Sequence, residues 1–167
     1  MLCDGTTAAR TGCVFMSRAF VKESEGIEPL PERSVSSHPN YVTARGQALI
    51  ETELVRLSSV YAEAQVSADR YALARIGRDL RYWQQRRASA QTVSPFANPD
   101  EVHFGSTVTL KRNDGRRQTW RIVGEDEADP ANGSISYVSP VARALMGKKI
   151  GDLAELGRLD ANIVAIE

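Results

Sequence analysis

Two apolar stripes with helical spacing most constrain what this chain can fold into. The first stripe comprises Ile50, Leu54, Leu57, Tyr61 and Ala64, and the second comprises Leu73, Ile76, Leu80 and Trp83. Steps that alternate between three and four residues place each set on one face of an α-helix. Neither helix can bury its stripe alone, and the connection over residues 66–69 is short. The sequence therefore predicts an antiparallel helical hairpin, or coiled coil, over residues 41–90.

The residues before the hairpin have no such period. Residues 16–40 contain three prolines and several charges without an apolar repeat, so residues 1–40 are predicted to form a disordered arm. A second methionine, Met16, opens a segment that resembles a natural start, and residues 1–15 are interpreted as a start-site artefact or a tail. Thr43 is the predicted N-cap of the first helix.

Cysteine usage and hydropathy indicate the compartment. Cys3 and Cys13 are the only cysteines, which argues against a disulfide scaffold and fits a reducing cytoplasm. No apolar run approaches the roughly 20 residues that span a bilayer, so no membrane partner is expected. The two apolar stripes of an antiparallel hairpin bury each other, and the chain is therefore expected to be a monomer.

Charge is balanced over the whole chain but uneven within it. The sequence has 21 basic and 21 acidic residues, so net charge predicts no particular partner. The second helix is rich in arginine, and Arg75, Arg78 and Arg81 form a candidate basic face for RNA or an acidic protein surface. A solvated helix face without a partner is the alternative interpretation.

The second half of the chain has the pattern of a small β-rich domain. Residues 91–100 contain two prolines and are predicted to be a linker to a domain over residues 101–167. Strand patterns cover residues 106–111, 118–123 and 134–138, with Asn113-Asp114-Gly115 as a hairpin turn and an acidic loop over 124–132. Ser139-Pro140 opens a short helix, and residues 152–156 and 162–166 are weaker strands. The predicted fold class is α+β, with a strongly bent antiparallel sheet and one short helix.

Four short motifs in this domain resemble the GreA/GreB family of bacterial transcription elongation factors. They are Val102-His103-Phe104-Gly105, Trp120-Arg121-Ile122-Val123-Gly124 with its acidic loop, Ser139 to Leu145, and Gly151-Asp152-Leu153. Tyr41 to Gly46 is similar to the family's entry into its first coiled-coil helix. The resemblance implies an FKBP-like C-terminal domain that docks at the rim of the RNA polymerase secondary channel. It also implies that the hairpin points down that channel, close to nascent RNA or DNA in the elongation complex.

The same resemblance assigns candidate site residues. The family's docking edge corresponds to Ser136, Ser139 and Pro140, and Val138 stands where relatives usually carry Asp or Asn. Gre factors stimulate transcript cleavage with an Asp-x-x-Glu pair at the hairpin tip, which helps to hold a second Mg²⁺ at the polymerase active site. Here the tip has only Glu63 and Asp69, and the hairpin is several turns shorter. No cofactor of the chain's own is expected.

Three functions from different classes follow. The first is a non-enzymatic polymerase-binding regulator, Gre-like or similar to the short-hairpin regulator of nucleoside diphosphate kinase, with weak or no cleavage stimulation. The second is an active cleavage factor that uses Glu63 and Asp69. The third is a peptidyl-prolyl isomerase, suggested only by the FKBP-like fold, although fold does not determine function. The missing acidic pair favours the first.

Overall fold

The computed structural model describes residues 30–96, 100–156 and 159–167, and it begins with a pair of long helices. Helix α1 spans Ala44–Val66 and helix α2 spans Arg70–Ser89. The predicted stripes face each other along this pair: Ile50, Leu54, Leu57, Ala64 and Ile76 are buried, and Leu73, Leu80 and Trp83 pack against them. The predicted helical hairpin is confirmed. Thr43 is its N-cap, as expected, and its hydroxyl accepts from the backbone N–H of Gly46 at 3.1 Å.

The turn between the helices is tight. Ser67 ends α1, Ala68 adopts a left-handed backbone with φ of 51°, and Asp69 caps α2. The backbone N–H groups of Ser67 and Asp69 donate to the carbonyls of Glu63 and Ala64. These bonds satisfy carbonyls that the end of a helix otherwise leaves without partners. The chain thus reverses within three residues.

The C-terminal domain is a curled five-stranded sheet with one short helix. Its strands are β3 (Thr107–Arg112), β4 (Arg117–Val123), β5 (Ser134–Ser136), β6 (Leu153–Leu156) and β7 (Leu159–Ile166). They lie in the order β5-β4-β3-β7-β6. Helix α3 spans Pro140–Leu145, with Ser139 as its N-cap and Pro140 in its first turn. The predicted fold class is confirmed.

One strand pair differs from the predicted antiparallel sheet. β5 runs parallel to β4, with Arg121 opposite Ser134 and Val123 opposite Ser136. The connection over residues 124–133 is longer than a hairpin turn and contains a 3-10 turn at Pro130–Asn132. It carries the chain back along β4 before β5 begins, as a parallel pair requires. The sheet is therefore mixed.

The core of this domain lies between the concave side of the sheet and α3. Val108, Leu110, Ile122 and Ile163 from the sheet meet Ala142 and Leu145 from α3, and each of these side chains is at most 1% exposed. At about 25 cal/mol per Å² of apolar surface, each buried Leu or Ile contributes roughly 1.5–3 kcal/mol. This core holds the sheet edge that includes β5 in place.

Residues 1–29 of the predicted disordered arm lie outside the described residues, and residues 30–40 make ordered contacts instead. Residues 30–40 lie along α2, where Glu32 pairs with Arg81 at 2.5 Å and Arg33 lies 3.9 Å over the ring of Tyr82. Strand β1 (Tyr41–Val42) then pairs in parallel with β2 (Gln91–Thr92), inside the predicted linker. The interpretation of residues 1–15 lies outside the described residues and stays a prediction. Among the helices that the structure describes, none combines the length and the apolar character needed to cross a membrane.

Candidate functional site

The base of the hairpin is joined to the C-terminal domain by the acidic loop. The carboxylate of Glu127 accepts from the backbone N–H of Thr43 at 3.0 Å, from the Thr43 hydroxyl at 2.6 Å and from the N–H of Gly124 at 3.0 Å. Helix α1 has no acidic residue of its own in its first turn. Glu127 therefore supplies from another domain the negative charge that stabilises a helix N-terminus.

Two glycines allow this close approach. A Cβ on Gly46 would lie 2.6 Å from the Glu127 carboxylate, and a Cβ on Gly124 would lie 2.5 Å from the carbonyl oxygen of Tyr41. Both distances are far below van der Waals contact. The joint between the two domains thus depends on the absence of side chains at these positions.

A buried arginine makes the second connection. Arg86 is 2% exposed; its Nε donates to Asp126 and its Nη2 lies 3.6 Å from Oε2 of Glu125. The hydroxyl of Tyr82 donates to the other oxygen of Asp126 at 2.5 Å. Burial and this hydrogen bond raise the pKa of Tyr82 to about 12. Because a buried charge is costly without its partner, the loop and the base of α2 hold each other in place.

An aromatic cluster fills the remaining space at the joint. The rings of Tyr41, Phe104 and Tyr137 lie 5.5–6.0 Å apart in tilted or edge-on arrangements. The Tyr137 hydroxyl donates to the carbonyl oxygen of Pro39, and burial raises the pKa of Tyr137. The cluster therefore packs the start of the helical hairpin against the C-terminal domain.

At the opposite end of the hairpin, the two candidate carboxylates have different environments. Glu63 is exposed near the end of α1, and its side chain has no hydrogen bond or ion pair among the described residues. Asp69 is also exposed, but its Oδ1 accepts from the N–H of Ala72 at 2.9 Å as the N-cap of α2. Val66 and Tyr71 flank them and are 91% and 60% exposed. The tip is therefore more apolar than acidic.

The candidate docking residues lie together at the edge of the sheet. Ser136 ends the edge strand β5, and its hydroxyl accepts from the N–H of Val138 at 3.3 Å. The Ser139 hydroxyl accepts from the N–H of Ala142 at 3.2 Å, and Pro140 is exposed. The structure thus places the three residues in one turn, with both hydroxyls engaged locally as a strand-end turn and a helix cap.

The candidate basic face of α2 is partly neutralised by the chain itself. Arg81 pairs with Glu32 at 2.5 Å, and Arg78 pairs with Asp79 at 3.2 Å. Arg75 is exposed and has no ion-pair partner among residues 30–96, 100–156 and 159–167. The Arg81–Glu32 pair is exposed, and exposed pairs contribute about 0–1 kcal/mol to stability; the Arg78–Asp79 pair is half-buried.

The sequence did not single out the joint. Arg86 is one of several arginines in the second helix, and the acidic loop is distinguished in the sequence only by its composition. The position of Arg86 three residues after Trp83 indicates burial, since that spacing extends the apolar face of α2. Its first partner in the loop, Glu125, lies 39 residues later, and no local pattern connects the two.

Comparison with known proteins decides the family. A family model for the C-terminal domain of the GreA/GreB transcription elongation factors matches residues 97–167. The transcription elongation factor GreB of Neisseria meningitidis serogroup B is 33% identical over 152 residues, which cover 77% of this chain and 93% of that protein. The chain belongs to the GreA/GreB family. A GreA from Neisseria meningitidis serogroup A is 36% identical over 138 residues, covering 69% of this chain and 86% of the relative.

Solved structures give further similarities to this GreA/GreB member. The crystal structure of GreA factor homolog 1 from Thermus thermophilus is 21% identical, with a TM-score of 0.39, and covers 78% of this chain and 99% of that one. A GreA/GreB factor from Nitrosomonas europaea is 22% identical, with a TM-score of 0.38, over 76% of this chain and 98% of that one. Within the described residues, no group of three or more His, Cys, Asp or Glu side chains could hold a metal ion.

Proposed function

We propose that this protein is an RNA polymerase-binding regulator of transcription elongation that stimulates transcript cleavage weakly or not at all. The C-terminal domain docks at the secondary channel through the turn that contains Ser136, Ser139 and Pro140, and the hairpin enters the channel. Family membership supports the polymerase as partner. The exposure of Pro140 at the end of an edge strand supports this turn as the contact.

The observation that carries the proposal is the use of Asp69 as a helix cap. Its Oδ1 is held by the backbone N–H of Ala72 at 2.9 Å, so this oxygen points into α2 rather than towards a second metal ion. Glu63 is the other acidic side chain of the tip. Two carboxylates placed to share a cation are the minimum for the two-metal chemistry of cleavage factors, and these two have no Asp-x-x-Glu spacing.

The reach of the hairpin supports the same conclusion. At about 1.5 Å per residue, the 23 residues of α1 extend roughly 34 Å. The alignment with the Neisseria GreB spans 152 residues but uses 77% of this chain, which is about 129 residues. The relative therefore has about two dozen residues without a counterpart here. Because the family model for the C-terminal domain matches residues 97–167, we assign the unmatched residues to the helical hairpin of the relative. A shorter hairpin here would leave any tip carboxylate further from the polymerase active site.

A cleavage assay on backtracked elongation complexes tests the proposal. The wild-type chain is expected to leave the cleavage rate close to that of polymerase alone, and to reduce cleavage when added in excess over a cleavage-stimulating Gre factor. Glu63→Gln and Asp69→Asn are the matched variants, because asparagine still caps a helix but lacks the charge. Strong cleavage by the wild type that either variant abolishes would identify an active cleavage factor instead. Failure to bind core polymerase in a pull-down would contradict docking.

A further inference from the structure

The hairpin formed by β3 and β4 of the C-terminal sheet carries a cluster of cations that the proposed function does not use. We call this cluster the basic hairpin; it comprises Lys111, Arg112, Arg116, Arg117 and Arg121 on β3, β4 and the turn between them. The whole chain has no net charge, so the concentration of five cations within eleven residues is local.

Strand register places the key side chains on one face. Thr107, Thr109 and Lys111 of β3 lie opposite Arg121, Thr119 and Arg117 of β4. The hydroxyls of Thr109 and Thr119 are 3.1 Å apart, as expected for side chains on the same side of a sheet. Val108 and Trp120 form the alternate pair and pack on the core. The outer face therefore presents the threonine hydroxyls together with Lys111, Arg117 and Arg121, while Arg112 has the same register parity as Val108 and Leu110.

The cations lack internal partners. Asp114 is the only carboxylate in the turn; it accepts from the N–H of Arg116 at 3.0 Å and lies 3.7 Å from its side chain. Lys111, Arg112, Arg117 and Arg121 have no ion pair among the described residues. By register, the carboxylates of Glu155, Asp160 and Glu167 share this face, on β6 and β7 and their flanks.

The pair formed by Lys111 and Arg117 is unfavourable in the isolated protein. Side chains directly opposite each other in an antiparallel pair have Cβ atoms about 4.5–5.5 Å apart, and like charges there reduce stability. An anion that binds across both cations would remove this repulsion. The regular spacing of cations along two strands fits a polyanion rather than a single small ion.

We infer that the basic hairpin binds the phosphate backbone of duplex DNA. The outer-face positions of β3, β4 and β5 are occupied by Thr, Lys, Arg and Ser, with the buried Val123 at the end of β4, and contain no aromatic side chain. Recognition of single-stranded nucleic acid usually relies on aromatic side chains that stack on bases. Cations and hydroxyls without such a platform are suited to contacts with phosphates, which fix a protein on a duplex without reading its sequence.

Lys111 and Arg117 lie at the end of the β3–β4 hairpin away from the joint between the domains, whereas Arg121 lies at the other end, opposite Thr107 and Ser134. Lys111 is four residues after Thr107 on β3. At about 3.3 Å per residue the Lys111–Arg117 pair is roughly 13 Å from the start of the strand. The inference therefore does not depend on the hairpin tip or on docking through Ser136, Ser139 and Pro140.

The test measures binding of the full chain to a fluorescently labelled duplex of mixed sequence by anisotropy, as a function of salt. Three cations lie on the outer face, and each phosphate contact contributes about −0.9 to the slope of log K against log salt. We expect a slope of about −2.7, or a roughly forty-fold loss between about 50 and 200 mM salt.

The variant Lys111→Gln with Arg117→Gln is expected to reduce the size of that slope to about −0.9 and to weaken binding at low salt at least ten-fold. The matched control is Arg56→Gln with Arg87→Gln, which removes the same charge from exposed helix positions that pair with Glu53 and Glu51. Equal weakening by the two double variants would overturn the inference, as would tighter binding of a single-stranded RNA of the same length. Absence of duplex binding at low salt would also overturn it, without bearing on polymerase binding.

Discussion

Replacing Arg86 with methionine tests whether the buried ion pair holds the hairpin on the C-terminal domain. Methionine keeps much of the packing of the arginine stem but removes the charge, and it leaves Asp126 and Glu125 facing a site that is 2% exposed. Breaking a buried pair in this way costs about 3–5 kcal/mol. Asp126 retains the Tyr82 hydroxyl and Glu125 is 21% exposed, so we expect about 3 kcal/mol.

The assay is thermal and urea unfolding followed by circular dichroism. For a chain of this length about 3 kcal/mol corresponds to a decrease in Tm of roughly 6–12 °C. The neighbouring Arg87→Met is the control: that side chain is 57% exposed and 3.8 Å from Glu51, so its effect should stay within about 0.5 kcal/mol. Adding Asp126→Asn to Arg86→Met removes the unpaired charge and should restore part of the loss. If Arg86→Met and Arg87→Met lower the free energy of unfolding by amounts that differ by less than about 1 kcal/mol, the joint does not depend on the ion pair.

Three further substitutions test the joint and the helices. Gly46→Ala puts a Cβ 2.6 Å from the Glu127 carboxylate and should reduce the free energy of unfolding by about 1–3 kcal/mol; an unchanged urea midpoint would contradict the close approach. Gly77→Ala, where the nearest atom is 3.5 Å away, should instead stabilise the protein by about 1 kcal/mol, and a lower Tm would be the contrary result. For Tyr82, the folded-state pKa of about 12 exceeds the usual 10.0, so its contribution is complete below pH 10 and is lost as pH rises towards 12. The stability difference between wild type and Tyr82→Phe, measured by urea unfolding, should therefore narrow over that range, and a constant difference would refute the assignment.

The parts of the fold that follow from local patterns could be predicted from the sequence. The helices depend on apolar side chains three and four residues apart, and the β3–β4 hairpin depends on a turn that Asn113 to Gly115 encodes directly. The direction of β5 could not be predicted, since alternation is the same in parallel and antiparallel strands. The ordered contacts of residues 30–40 were also missed, because they depend on Arg81 and Tyr82, far along the chain.

The residues of the candidate site also fall into those whose role follows from local sequence and those whose role depends on distant partners. Ser139 and Pro140 could be placed at a helix start because capping is local. The role of Asp69 as a cap could in principle be seen in the same manner, from its position before the second apolar stripe. Arg86 could not be assigned because its partner Asp126 lies 40 residues away in the sequence. Glu127 could not be assigned because its partner Thr43 lies 84 residues away.

The bond network between Glu127 and the start of α1 has a mechanical consequence. Helix α1 is a lever about 34 Å long whose pivot is the joint. A rotation of about 10° at the pivot would displace the tip by roughly 6 Å, about four residues of helix rise. Small changes in the carboxylate contacts of one loop are therefore magnified at the far end of the hairpin. Glu127 and Arg86 fix the angle between the helical hairpin and the C-terminal domain. That angle determines where Val66 and Tyr71 lie at the tip.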